Sequence, residues 1–223
     1  MKLKLIVISF LLLSQAAFAQ TDDELKPEHQ IGVNATLFIK QFLSFNNTIA
    51  GSSPFLVTYK YIESNQGWRI GVGGSNATTK NNSNTIFGAS SNSSLLIDTR
   101  LGYEWQKGLD KRWLLYYGVD AVYSYSKFRF TTNALGGGFP QKIEEVISSN
   151  EGFSAGGGPI LGVEFKISKR IRLNAETTAY ATYSETRRRE INTQFIGFER
   201  NDYSASSRMF ITVPTSIFFI INI

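Results

Sequence analysis

Charge in this chain keeps to a two-residue rhythm. Cut at its turn-rich clusters, the sequence yields eight segments that alternate apolar and polar residues, the period of an extended strand. The apolar-leading face falls on odd positions in 31–41, 55–61, 95–105, 113–125, 153–167, 171–183 and 209–223, and on even positions in 68–74. No charged residue occurs on it. The opposite face carries eleven: Lys40, Lys60, Arg69, Asp98, Arg100, Glu104, Asp120, Glu164, Lys166, Arg172 and Glu176. A soluble sandwich turns its charges to water and buries its apolar faces in one core. Here the uncharged face is too long and too aromatic for that, so the charges are the enclosed set.

In lipid, every backbone polar group must find its partner within the protein, which leaves only helices and closed barrels. No stretch after the first nineteen residues approaches the ~20 apolar residues of a membrane helix. The expected fold is therefore all-β: an eight-stranded antiparallel up-and-down transmembrane β-barrel, with lipid outside and a polar interior. Residues 1–19 read as a secretory signal, with Lys2 and Lys4, the apolar run Leu5–Leu13 and the small-residue site Ala17-Phe18-Ala19. Residues 20–30 form a polar periplasmic lead-in and 31–223 the barrel. Without Lys2 and Lys4 the 23 basic residues fall to 21 against 18 acidic ones, a net charge of +3, too mild to imply nucleic acid. There is no cysteine, hence no disulfide and no lipidated cysteine.

The strands are expected near 31–42, 55–62, 68–74, 95–105, 113–130, 153–167, 171–184 and 209–223. Long and short connections alternate strictly between them, which places every short turn on one rim and every long loop on the other. In an outer-membrane barrel these are the periplasmic and extracellular rims, and an even strand count leaves both termini in the periplasm. Aromatic residues collect at both ends of the outward face, as rings that settle at headgroup level do. Trp68, Trp105 and Trp113 lie beside the short turns with Tyr61, Tyr103 and Phe165; Phe55, Tyr123, Tyr125, Phe153 and Tyr183 lie at the other rim. Pro159 and Pro214 fall inside strands and predict bulges or bends, because each removes a ladder donor. Gly156, Gly157, Gly158 and Gly162 leave room for larger neighbours or for tight coiling.

An eight-stranded barrel is just wide enough for side chains to fill it. Its inward acids nearly balance its inward bases, which predicts mutual ion pairing rather than a conducting path. Arg100 is the expected counter-ion of Asp98 and Asp120. The one histidine, His29, precedes strand one at the short-turn rim, so mechanisms that need a histidine within or outside the barrel lack their base. His/Cys metal clusters are absent, and neither Gly136–Gly138 nor Gly156–Gly158 shows a phosphate-loop pattern, so no catalytic residue, cofactor or metal is assigned. In the loops, Arg187, Arg188 and Arg189 continue strand seven and offer bidentate donors to lipopolysaccharide phosphates. Ile143, Val146 and Ile147 suggest a short amphipathic helical turn, and 75–94 reads as a mobile polar loop.

The alternation and topology resemble the small outer-membrane barrels of the OmpX/OmpA-like β-barrel superfamily, especially the sets common in Bacteroidetes. The resemblance covers nearly all of the mature chain but carries no diagnostic motif. It implies integration among outer-membrane lipids and lipopolysaccharide, and recognition by the barrel-assembly machinery, usually through an aromatic last residue. Here the end reads IFFIINI, with Ile223 last. The expected role is non-enzymatic, structural or surface-interacting. An accessory subunit of a larger transport or secretion complex, a narrow channel and a lipid-modifying enzyme are the alternatives.

Overall fold

The computed structural model describes residues 27–35, 55–81, 90–135, 143–192, 199–212 and 217–223. They form nine antiparallel strands: β1 (Glu28–Asn34), β2 (Val57–Glu63), β3 (Gln66–Asn81), β4 (Ser90–Gly108), β5 (Trp113–Leu135), β6 (Ile143–Lys166), β7 (Ile171–Asn192), β8 (Glu199–Thr212) and β9 (Ile217–Asn222). Each pairs with its sequence neighbour from β1 to β7, and β9 returns to β1, closing the ring. β8 pairs with the far part of β7 (178–191) and β9 with its near part (171–175). The two therefore occupy one position, and the barrel has eight.

The seam between β8 and β9 contains Pro214, which lies outside the described residues. On either side the register against β7 differs by two: Thr178 faces Thr212, whereas Ala175 faces Ile217. The expected eighth strand is therefore two strands, β8 and β9, in different registers against β7. Pro159 behaves differently from the bulge expected there. β5 and β6 keep one register through Val119↔Pro159, and the β6–β7 ladder skips Gly158 and Pro159 without shifting. One lost donor is accommodated by a gap in the ladder, with no added residue.

The short turns gather at one end. Ser64 and Asn65, both at positive φ (50° and 64°), make a two-residue hairpin between Glu63 and Gln66. That is the type I′ geometry whose twist matches the flanking strands. At the next turns Leu109 N donates to Trp113 O and Ile167 N to Ile171 O. β1 begins at Glu28, inside the expected lead-in; the rest of the expected first strand, with Lys40, lies outside the described residues.

The other end corrects the sequence reading most. The polar run 75–94 is strand from Ser75 to Asn81 and again from Ser90, the two arms paired through Asn81↔Ser90. The helical turn expected around Ile143, Val146 and Ile147 is also strand, paired with β5 over its whole length. Pairing with β5 along the whole segment, and with β7 from Val146 onward, overrides a three-residue helical periodicity. β5, β6 and β7 reach 23, 24 and 22 residues, about twice what a tilted membrane strand needs.

Twelve residues separate Trp113 from Tyr125 on β5, Phe165 from Phe153 on β6 and Ile171 from Tyr183 on β7. At ~3.4 Å per residue and a tilt of ~40° this is about 31 Å, the thickness of a hydrocarbon core. Within that belt the outward residues are exposed and large: Leu161, Val119, Leu101 and Val72 are each half or more exposed. A soluble protein has no use for such a band; lipid does.

Candidate functional site

The interior of the belt is ionic. Lys60 Nζ donates to Glu104 (3.0 Å) and Glu164 (2.8 Å), all three side chains essentially without exposure. Arg69 donates to Glu104 (3.3 Å) and Glu176 (2.7 Å) and lies 3.4 Å from Asp120, a contact whose Nε and Oδ1 atoms are not hydrogen bonded. Arg100 donates to Glu176 (2.6 Å) and to the Thr58 hydroxyl (3.3 Å). Nearer the short turns Arg172 reaches Glu164 (3.5 Å) and Glu28 (2.6 Å). Lys60, Arg69, Arg100 and Arg172 thus meet the buried carboxylates of Glu104, Asp120, Glu164 and Glu176, with the more exposed Glu28 as a fifth partner at the rim, the near-balance that burial of paired charge demands.

Neutral groups fill the remaining valences. The Tyr116 hydroxyl lies 2.7 Å from Asn174 Oδ1 and 2.9 Å from Glu176 Oε2, and its ring carries Lys60 Nζ 4.2 Å from the centroid. Tyr180 donates to Asp120 (2.6 Å) and Gln106 to Glu104 (2.8 Å). Tyr116 has room because Gly162 stands opposite it: a Cβ there would sit 2.1 Å from the ring. The sequence reading missed Tyr116, Tyr180 and Asn174, although their even positions on inward faces were visible. A phenol above a glycine on the facing strand was the available signal.

Five expected placements change. Arg100 pairs with Glu176, and is 3.8 Å from Asp120. Asp98 is buried but makes no ion pair among the described residues, and its Oδ2 has no hydrogen-bond partner. Phe55, expected at the outer girdle, is buried, with the Arg100 guanidinium 4.4 Å over its ring. Lys166 is only half-buried and lines a small cavity at the short-turn rim with Glu28, Gln106 and Arg172. His29 lies within β1, its Nδ1 2.7 Å from the Tyr59 hydroxyl and its ring 5.2 Å from that of Tyr61. Gly156–Gly158 are strand residues of β6, a geometry that cannot wrap a phosphate.

Of the girdle residues, Trp68, Tyr103 and Trp105 form a chain of ring contacts at 5.1 and 5.1 Å, which Tyr117, not expected there, extends at 5.8 Å, and Trp113 meets Phe165 at 4.7 Å. Tyr123 and Tyr183 are exposed at the far edge of the belt, and Tyr125 stands two residues beyond Tyr123 on the same face.

Past that edge a groove of about 690 Å³ runs over β5–β8, lined among others by Lys127, Arg129, Arg187, Arg188, Arg189 and Tyr203. Register puts Lys127, Glu151, Arg187 and Tyr203 in one row and Arg129, Ser149, Arg189 and Asn201 in the next. These odd positions continue the outward, lipid-facing side. Arg188 belongs to the opposite face and is paired with Glu190. Glu151 holds Lys127 and raises its pKa, the hydrogen bond being the larger cause. Asn201 and Arg189 donate to Glu199 and lower its pKa. Glu185, accepting the Tyr203 phenol, pushes that group up to about 12.

A closed antiparallel ring with an apolar belt of membrane thickness and a charged interior is an integral membrane β-barrel. The sequence model of the outer membrane protein beta-barrel domain matches residues 5–206, and the chain belongs to that family. Among solved structures it is similar to a major outer membrane protein from Thermus thermophilus, with 9% identity, a TM-score of 0.39, and coverage of 89% of this chain and 100% of that one. No curated protein matches.

Proposed function

We propose that this is a non-enzymatic outer-membrane barrel of the OmpX/OmpA-like kind, closed to ions and working through the sheet that stands beyond the membrane. The carrying observation is the interior network. Four cations and four carboxylates are cross-linked in one continuous network, with Tyr116, Asn174 and Gln106 between them and the buried members nearly devoid of exposure. An ion entering would have to break pairs that have no water to replace them, and removing one partner of such a pair costs about 3–5 kcal/mol. Planar-bilayer recordings of the purified protein are expected to show no ion-sized conductance. Steady conductance abolished by neutralising Arg100 would overturn the closed interior.

In this reading the short turns are periplasmic and the extended strands lie outside the cell, both termini being periplasmic. The absence of native cysteine makes the orientation directly testable. On intact cells, Thr79→Cys on the long arm of β3 should react with an impermeant maleimide, and Lys111→Cys in a short turn should not. The reverse pattern would invert the protein.

A further inference from the structure

We propose that the outward face of β5–β7 just beyond the belt binds the phosphate groups of an outer-leaflet glycolipid. The proposal rests on the orientation above and adds a ligand class and the residues that hold it. Three observations converge. First, the cations lie at and just above headgroup depth. Lys127 and Arg187 stand two residues past the row Tyr125–Phe153, and Arg129 and Arg189 four. At ~3.4 Å per residue and ~40° tilt these rows are ~5 and ~10 Å above it; a bilayer's headgroup layer is roughly 5–8 Å thick per side, so the first row lies within that layer and the second just beyond its outer edge.

Second, the carboxylates of this face are already engaged. Glu151 is held by Lys127, Glu199 by Arg189, and Glu185 accepts hydrogen bonds from Tyr183 and Tyr203. Among the described residues, Arg129 and Arg187 have no ion-pair partner although both line the groove. They sit on β5 and β7, two strands apart at about 9.6 Å laterally, with only Ser149 and Glu151 between them on β6. Guanidinium groups in that disposition can each present two parallel N–H donors to a phosphate, the geometry that anions of this shape select.

Third, the face is continuous with the lipid-facing surface. A lipid diffusing along the belt meets these arginines from the side, with its acyl chains against the apolar outward residues below. A soluble anion gains nothing from that continuity, and a protein partner would have to displace headgroups to reach the groove. Arg200, exposed and paired with Asp202, stands outside the groove.

The test uses the full barrel in nanodiscs of phosphatidylcholine doped with bis-phosphorylated lipid A, with co-retained lipid A counted by native mass spectrometry. The wild type should retain lipid A over phosphatidylcholine, and R129Q/R187Q should lower retention about tenfold, while R200Q, at an exposed arginine outside the groove lining, leaves it unchanged. Heat-modifiable migration of all three proteins confirms that each is folded. Equal retention by R129Q/R187Q, or equal retention of dephosphorylated lipid A, would overturn the site. Displacement of lipid A by millimolar inorganic phosphate would also overturn it, since the groove would then be an anion site indifferent to lipid. A nanodisc offers the same lipid to both leaflets, so these outcomes judge the site alone, and the maleimide experiment judges the orientation.

Discussion

The same three strands, β5, β6 and β7, build two unlike regions. Inside the belt, each strand divides its residues between hydrocarbon and a charged interior, and the division is strict. Val119 is 54% exposed to lipid while its neighbour Asp120 is 2% exposed. Beyond the belt both faces of the sheet are polar: Arg187 and Arg188 are exposed on opposite sides. Backbone pairing runs through both regions, interrupted only at Gly158 and Pro159 of β6 within the belt among the described residues. What differs is the penalty for a misplaced side chain, large where either face is dry and small where both are wet.

The largest effect should come from unbalancing the interior. Glu176 serves Arg69, Arg100 and Tyr116 at once. Glu176→Leu leaves two guanidinium groups short of a carboxylate, at a cost of about 3–5 kcal/mol. Urea titration in detergent should show a much lower midpoint; an unchanged one would mean that the interior is hydrated and the pairs are incidental. Next comes the lipid side. Val119→Arg places a charge near the bilayer midplane at about 2–4 kcal/mol and should block membrane assembly, whereas the inward, half-buried Ser124→Arg should assemble better. Equal recovery of the two proteins in the heat-resistant form would refute the assigned facing. Third, Gly162→Ala drives a methyl into the Tyr116 ring, an overpacking of about 1–3 kcal/mol. It should lower the midpoint less than Glu176→Leu, and a larger loss would point to β6 backbone strain instead.

That gradient also explains what the sequence made legible. Within the belt the alternation is enforced from both sides, so the ring, the facing of every strand and the charged interior could be read from residue order alone. Pairing partners could not. Asp98 and Arg100 are close in sequence, but barrel stagger brings Arg100 to Glu176 on a distant strand, and two residues on one strand face do not reveal shear. Beyond the belt the signal fails for a physical reason. Runs such as 75–81 and 146–151 have no dry face, so no rhythm separates them from loops, and only the neighbouring strand makes them strands. The arginine run was visible, yet which of its members share a face with Lys127 and Arg129 depends on the register of β5, β6 and β7 together.

The smallest predicted effect tests the comparison most closely, because it holds chemistry fixed. Arg100 and Arg200 are the same residue in similar ion pairs, 2.6 Å to Glu176 and 2.9 Å to Asp202. Their surroundings differ: the Arg100 pair is 1% and 4% exposed, the Arg200 pair 63% and 47%. Water solvates the Arg200 pair whether or not it forms, and salt screens it, so Arg200→Gln should leave the urea midpoint within error of the wild type. Arg100→Gln should lower it markedly, since Glu176 and Asp120 would then share the remaining Arg69. If the two substitutions shift the midpoint alike, burial is not what separates the regions. The extended sheet would then be an integral part of the barrel's stability rather than a surface carried by it.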